Sequence, residues 1–226
     1  MKEDICSIPV NEVFEVADGC PVCRMHETLE EHLLEFIMGP AMMEPDIRTE
    51  TNKTGFCPDH MVKMLGRKNR LGLALMLETR LQTIDEAIFK PTLLSRKSKA
   101  EKAADASGGC YVCEKVDKAL EAHMVTVFKL WKKEAEFRAS VASQPIICLP
   151  HYKLLLTKAA GQLDKKQFAE FETVLSNVMQ KGLKALEEDV TGFCRMYDYR
   201  SNGAEWGNKK DAPERAVAFL SGFKKA

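Results

Sequence analysis

Apolar residues recur at helical spacing along most of the chain. Residues 29–38 and 116–131 repeat them every three or four positions, as the buried face of an amphipathic helix does. Residues 61–88 continue this pattern and contain no stronger breaker than Gly66 and Gly72. The alternation of apolar and polar residues that indicates a β-strand is scarce. The pattern therefore predicts a mostly α-helical protein.

The clearest apolar stripe lies in the second half of the chain. It begins after Asp164, a favoured N-cap residue, and Gln167 stands three residues later, as a capping box requires. We expect this helix to pack its stripe against the core and to end near Thr191, where the pattern breaks. A short terminal helix is expected from about Pro213. The stripe comprises Phe168, Phe171, Leu175, Val178, Gly182, Leu186 and Val190.

Residues 90–109 lose the apolar periodicity, gather lysines and end in Ser-Gly-Gly, which is typical of a linker that contains some frayed helix. The blocks on either side, residues 1–89 and 110–190, carry the same cysteine and histidine motifs in the same order. An internal duplication explains this correspondence. We therefore predict a two-repeat helical bundle, with residues 191–226 as a short, irregular C-terminal element that packs on the repeats.

Charge and hydropathy narrow the classes of protein to which the chain can belong. It has 226 residues with 33 basic and 33 acidic side chains, so no net charge attracts it to nucleic acid or anionic lipid. The first 14 residues contain Lys2, Glu3 and Asp4 and no apolar run of signal-peptide length, and no run of about 18 apolar residues occurs anywhere in the sequence. We expect a cytoplasmic protein that does not bind membranes and for which nucleic acid is a disfavoured partner.

Six of the eight cysteines belong to a motif that occurs twice. In each copy, a C-x2-C pair is followed after 33 or 34 residues by a C-x2-H pair. Together the two pairs offer three sulfur donors and one nitrogen donor, which suit a tetrahedral site with zinc as the preferred occupant. The repetition predicts two zinc ions per chain. The first copy comprises Cys20, Cys23, Cys57 and His60, and the second comprises Cys110, Cys113, Cys148 and His151.

The spacing between the pairs is long enough for one helix out and one helix back. We therefore expect each Cys3His site to close a helical hairpin within its own repeat, and a site formed across the two repeats is the open alternative. All four pairs are expected at helix N-termini, where the helix dipole helps to keep thiolates deprotonated. A site with four protein donors has no open position for water, so a structural role is favoured over catalysis.

Three alternatives compete with zinc at these cysteines. A thioredoxin-like redox pair lacks its usual βαβ context, and disulfides do not suit a chain without an export signal. An iron–sulfur cluster is the chemical rival, because a histidine can replace one thiolate ligand. Cys6 and Cys194 remain outside both motifs and are expected to be inert thiols. The chain contains no phosphate-binding glycine loop, HExxH or G-x-S-x-G motif, which argues weakly against an enzyme.

A cluster of polar and aromatic residues near the C-terminus is a candidate ligand site. It includes Asp198, Arg200 and Trp206, and Arg48 and Arg70 are further candidates for the same pocket or partner surface. An ion-paired tail held against the body is the competing interpretation of the C-terminal residues. Helix packing is the competing interpretation of Arg70.

Short motifs distributed over the chain form a wider signature. Together they resemble a bacterial family catalogued as domain of unknown function 6062, and the resemblance runs over nearly the whole chain. It implies an origin in anaerobic gut-type bacteria, and it implies no activity, substrate or partner. The motifs include Ile8-Pro9-Val10-Asn11, Cys20-Pro21-Val22-Cys23, Gly55-Phe56-Cys57, Asn69-Arg70-Leu71-Gly72, Asp198-Tyr199-Arg200 and Trp206-Gly207-Asn208.

The sequence therefore predicts a zinc-binding, non-catalytic helical protein that binds a protein or a small molecule. The alternative is a redox-sensing or metal-sensing protein in which a Cys3His site holds an iron–sulfur cluster or a labile metal. Metal content and visible absorption distinguish the two, because zinc sites are colourless and iron–sulfur clusters are not.

Overall fold

Helices account for the regular structure in the computed structural model, which describes residues 5–90, 97–199 and 205–222. Within those ranges, the chain forms eleven α-helices and no β-strand, and the predicted mostly α-helical fold is confirmed. None of these helices is long and apolar enough to cross a membrane. The helices are α1 (Ile8–Glu15), α2 (Pro21–Met38), α3 (Pro45–Thr54), α4 (Pro58–Leu65), α5 (Arg70–Phe89), α6 (Lys99–Ser107), α7 (Tyr111–Lys133), α8 (Ala135–Ala142), α9 (Leu149–Gln162), α10 (Lys165–Met196) and α11 (Ala212–Ser221).

The continuous helix predicted over residues 61–88 is in fact two helices. α4 ends at Leu65 and α5 begins at Arg70. Asn69 caps α5, because its side-chain oxygen accepts a hydrogen bond from the amide of Gly72 at 2.9 Å. Asparagine is among the strongest N-cap residues. Gly66, which the prediction treated as too weak to end a helix, is the C-cap residue of α4, so the prediction was wrong at this position.

α10 begins as predicted and ends later than predicted. The Asp164 side chain accepts from the amide of Gln167 at 2.9 Å, and the Gln167 side chain accepts from the amide of Asp164. The pattern breaks at Gly192, but a glycine in a helix interior costs only about 1 kcal/mol, and the helix continues to Met196. Contact between the rings of Phe193 and Tyr197 supports the last turn. The buried face of α10 comprises Phe171, Leu175, Val178, Gly182 and Leu186.

The segment predicted as a linker contains the helix α6. Ser98 and Glu101 form a capping box at its start, and none of its residues is buried. α6 packs against α5. Residues 91–96, which belong to the same predicted linker, lie outside the described residues.

The chain divides into two compact units that do not follow the order of the predicted repeats. The first unit comprises residues 1–27 and 120–226, and the second comprises residues 28–119. Both boundaries fall inside helices, namely α2 and α7. Each unit therefore combines segments from both predicted repeats. The internal duplication itself stays a prediction from sequence.

Aromatic rings fill the core of the first unit. The ring of Phe171 on α10 contacts Trp131 and Phe128 on α7, with centroid distances of 4.9 and 5.6 Å. Phe14 on α1 packs against Phe137 on α8 at 5.1 Å. α11 packs against α9 and α10. The first unit thus joins the N-terminal helix to the second half of the chain.

Aliphatic and methionine side chains fill the core of the second unit. Tyr111 is the one aromatic residue in this buried cluster, and Cys110 belongs to it as well. Cys57 and Cys113 pack against its edge. The core of this unit is therefore continuous with three of the predicted metal ligands. Its other buried members are Leu34, Ile37, Met38, Met64, Leu73, Met76, Val112 and Val116.

Candidate metal centres

The structure brings the eight motif residues together in two groups of four. In each group, one donor atom from every residue lies within 4.8 Å of the other three donor atoms. Each group lies within one compact unit. The chain could therefore hold two metal ions. Cluster 1 comprises Cys20, Cys23, Cys148 and His151, and cluster 2 comprises Cys57, His60, Cys110 and Cys113.

Each cluster joins the C-x2-C pair of one motif copy to the C-x2-H pair of the other copy. The prediction that each site closes a hairpin within its own repeat was wrong. The reason is the path of two long helices. α2 leads from Cys23 in the first unit into the second unit, where the chain reaches Cys57. α7 leads from Cys113 back into the first unit, where the chain reaches Cys148.

All four pairs lie at helix N-termini, as the sequence predicts. Cys57 and Cys148 are the N-cap residues of α4 and α9. Cys20 and Cys110 directly precede α2 and α7. Each cluster therefore has two helix N-termini beside it. Because a helix N-terminus carries a partial positive charge, this placement favours thiolates over thiols.

Cluster 1 surrounds the Nδ1 atom of His151 with three sulfur atoms. This nitrogen lies 3.1 Å from Sγ of Cys148, 3.2 Å from Sγ of Cys23 and 3.6 Å from Sγ of Cys20. The Sγ atoms of Cys23 and Cys148 are 3.6 Å apart. A tetrahedral zinc site separates two sulfur donors by about 3.8 Å, and sulfur from nitrogen by about 3.6 Å. The four donors of cluster 1 fit around one such ion.

Cluster 2 has nearly the same internal distances. The Nδ1 atom of His60 lies 3.1 Å from Sγ of Cys57, 3.1 Å from Sγ of Cys110 and 3.5 Å from Sγ of Cys113. The Sγ atoms of Cys57 and Cys113 are 4.0 Å apart. Both clusters therefore offer three sulfur atoms and one Nδ1 atom at the spacing of a single tetrahedral ion.

Within each cluster, ionisation of one cysteine is favoured and ionisation of a second cysteine is opposed. Hydrogen bonds from Cys148 and Cys23 hold the pKa of Cys20 well below its ordinary value, and hydrogen bonding with Cys148 and Cys20 raises the pKa of Cys23. In cluster 2, burial and then a hydrogen bond to Cys110 raise the pKa of Cys113 to about 12. A divalent cation removes this repulsion, because it binds the thiolate form of all three cysteines and the neutral form of the histidine.

A buried carboxylate that was not predicted from the sequence contacts cluster 2. Oε1 of Glu30 lies 2.7 Å from Nε2 of His60, and the ammonium group of Lys63 donates to Oε2. Burial would raise the pKa of Glu30, but hydrogen bonds from Lys63 and His60 outweigh burial and lower it. The available signal was its place four residues before Leu34 on the buried face of α2, where an acidic residue needs a partner.

The two arginines predicted for a ligand surface pack against helix backbone in the second unit. The guanidinium group of Arg48 donates to the carbonyl of Leu75 and to the hydroxyl of Thr79, both at 2.8 Å. Arg70 donates to the carbonyl of Leu65 at 3.0 Å. These contacts join α3 to α5 and the start of α5 to the end of α4.

The C-terminal candidates belong to the first unit. The ring of Trp206 lies 5.5 Å from the ring of Phe193 and 5.8 Å from the ring of Tyr197, measured between centroids. Asp198 is exposed, and Arg200 lies outside the described residues. The prediction of one ligand pocket or partner surface formed by these residues and the two arginines stays a prediction.

Two surface features lie apart from both clusters. Cys6 and Cys194 are exposed and belong to neither cluster. A cavity of about 500 Å³ in the second unit is lined by residues of α3, α5 and α6, which include Asn52, Arg80 and Lys102. None of the four predicted ligand-surface residues that the structure describes lines this cavity.

No curated protein sequence and no solved structure gives a match to this chain. The sequence profile of a family described as a family of unknown function, DUF6062, matches residues 1–226. The match includes every residue of the two clusters. The chain is therefore a member of the DUF6062 family.

Proposed function

We propose that this protein binds two zinc ions, one in each cluster, and that both ions are structural. The observation that carries the proposal is the donor set, which gives each cluster four protein donors at single-ion spacing. Four protein donors complete a tetrahedral shell and leave no position for water or substrate. Three thiolates and one imidazole also match the ligand preference of zinc.

The compactness of each donor set supports a single ion over an iron–sulfur cluster. All four donor atoms of a site lie within 4.8 Å of one another. An iron–sulfur cluster contains several iron and sulfide atoms between its protein ligands, so it holds those ligands further apart. One ion per site is therefore the better fit to this geometry.

A structural role is supported by the chain segments that each site would connect. Cluster 1 joins residues that are between 125 and 131 positions apart in the sequence. Cluster 2 joins residues that are between 50 and 56 positions apart. In the chain-entropy model, cross-links that close loops of these lengths stabilise a fold by about 4 to 5 kcal/mol. Metal binding at such sites contributes directly to folding free energy.

With both ions enclosed by protein donors, the protein would act by binding a protein or a small molecule rather than by catalysis at zinc. The experiment is elemental analysis of protein purified without oxygen, combined with visible spectroscopy and X-ray absorption at the zinc edge. We expect two zinc ions per chain, no visible absorption, and an average of three sulfur ligands and one nitrogen ligand per zinc.

Two results would contradict the proposal. Iron with acid-labile sulfide and visible charge-transfer bands would support the redox-sensing alternative. An oxygen ligand at either zinc, indicating bound water, would contradict a closed structural site and would favour catalysis.

A further inference from the structure

The two clusters have the same donor atoms but different surroundings. In cluster 2, the ring of His60 has a partner on the side away from the sulfur atoms, because its Nε2 atom lies 2.7 Å from Oε1 of Glu30. His60 is 1% exposed and Glu30 is 5% exposed, so water does not compete for this contact. The second carboxylate oxygen accepts from the ammonium group of Lys63. The imidazole of cluster 2 is therefore supported by a buried carboxylate, which is itself paired with an ammonium group.

The imidazole of cluster 1 lacks this support. His151 is half-buried, and its hydrogen bonds with other described residues all involve Nδ1 and the three cysteine sulfur atoms. In the described part of the chain, no carboxylate contacts Nε2 of this ring. Among the described residues, the hydrogen bonds that orient this ring therefore come from the donor atoms of its own cluster.

The difference between the clusters corresponds to a difference between the motif copies. Glu30 stands seven residues after the second cysteine of its C-x2-C pair, and Leu120 stands at the same position in the other copy. Lys63 stands three residues after the histidine of its C-x2-H pair, and Leu154 occupies the matching position. An ionic pair at cluster 2 is thus replaced by two leucines in the corresponding positions for cluster 1.

A carboxylate bonded to the far nitrogen of a metal-bound histidine fixes the tautomer and orientation of the ring. It also makes the metal-bound nitrogen a better donor. Loss of such a partner lowers metal affinity by about 10- to 100-fold. A histidine without it dissociates more readily, and its departure leaves three thiolates and an open position on the ion.

We propose that the two structural sites differ in how fast they release their ion: cluster 2 retains its ion, and cluster 1 exchanges its ion faster with other thiol or nitrogen ligands. This inference rests on the proposed binding of two zinc ions. Glu30 is a positioning residue, since it acts on the ion through His60. The ligand class for cluster 1 is a thiophilic divalent cation.

The experiment measures zinc release from the fully loaded chain into excess 4-(2-pyridylazo)resorcinol, a coloured chelator. We expect two phases of equal amplitude, with rates that differ by about tenfold or more. Cys148→Ser should remove the fast phase, and Cys57→Ser should remove the slow phase. A single phase for both ions, or the opposite assignment, would overturn the inference.

The role of Glu30 is tested by three variants of α2. Glu30→Ala should accelerate the slow phase by about tenfold and leave the fast phase unchanged. Glu30→Gln, which keeps an oxygen acceptor of the same reach, should accelerate it less. Glu31→Ala is the matched control, because Glu31 pairs with Arg67 and belongs to neither cluster. Equal release rates for Glu30→Ala and the control would overturn the role of Glu30.

A spectroscopic measurement separates positioning from general loosening of the fold. In the zinc-loaded protein, both imidazoles carry a proton on Nε2, and NMR can follow its exchange with water. We expect slow exchange of the His60 proton and rapid exchange of the His151 proton. Glu30→Ala should make exchange of the His60 proton rapid and leave the exchange rates of the backbone amides of α10 unchanged. Equal exchange at both histidines would contradict the inference. Failure of the chain to bind two zinc ions would instead contradict the proposed function.

Discussion

The backbone of Pro145 lies close to Gly182, which is the one residue without a side chain in the apolar stripe of α10. A Cβ atom at this position would lie 2.7 Å from the carbonyl oxygen of Pro145 and 2.7 Å from a side-chain carbon of Ile146. The helical pattern predicts that Gly182 faces the core, but it does not predict what the glycine meets. Glu30 is a similar case: the sequence places it on the buried face of α2, but its role depends on His60, which lies on α4.

Gly182→Ala should therefore destabilise the protein. Alanine gains about 1 kcal/mol of helix propensity over glycine. The overlap with a backbone oxygen cannot be relieved by a rotamer change, and overpacking of this kind costs about 1 to 3 kcal/mol. We expect a net decrease in the free energy of unfolding, measured by urea denaturation followed by circular dichroism.

The matched control is Gly161→Ala on α9, where a Cβ atom would meet nothing within 4 Å. This variant should be more stable than the parent by about 0.4 to 1 kcal/mol. If both alanine variants stabilise the protein equally, the close packing of α10 at Gly182 is incorrect.

At the scale of elements, local signals determine where helices begin better than where they end. The start of α10 is predicted because Asp164 and Gln167 satisfy the first backbone amides within a few residues of sequence. Its end at Met196 depends on tertiary contacts, including the ring of Trp206 against Phe193. No local pattern contains those contacts.

Asp164→Ala should lower the free energy of unfolding by about 1 kcal/mol, because it removes the acceptor of the capping box at the start of α10. Asp164→Asn should have a smaller effect, since asparagine caps helices almost equally well. The midpoint of urea unfolding is the measurement.

Ser98→Ala, at the start of α6, is the control for this prediction. It removes a capping box as well, but α6 buries none of its residues. Loss of this capping box should therefore leave the midpoint of global unfolding unchanged. If Ser98→Ala shifts the midpoint of urea unfolding as much as Asp164→Ala does, the stabilisation by a capping box does not depend on whether its helix packs against the core.

At the scale of the whole molecule, the sequence specifies the donors and leaves their pairing open. Each C-x2-C pair is a local feature at a helix start, so its chemistry is visible in four residues. The two C-x2-H pairs are chemically alike, and a spacing of 33 or 34 residues permits a return to either partner. The observed pairing depends on α2 and α7, which carry the chain from one unit to the other.

The division into units has the same physical origin. Hydrophobic periodicity shows that residues 116–131 form a helix with a buried face, and α7 confirms it. Periodicity does not show that the first part of this helix belongs to one core and the later part to another. That outcome depends on which apolar faces meet in the folded state, which is a property of several helices at once.

Zinc counting in two double variants by native mass spectrometry tests the central claim most directly. Cys20→Ser with Cys148→Ser removes two donors from cluster 1, so this variant should retain one zinc ion. Cys20→Ser with Cys57→Ser removes one donor from each cluster, so it should retain none when a moderate chelator is present. One zinc ion in the second variant and none in the first would contradict the account, because it would mean that each site forms within a single motif copy.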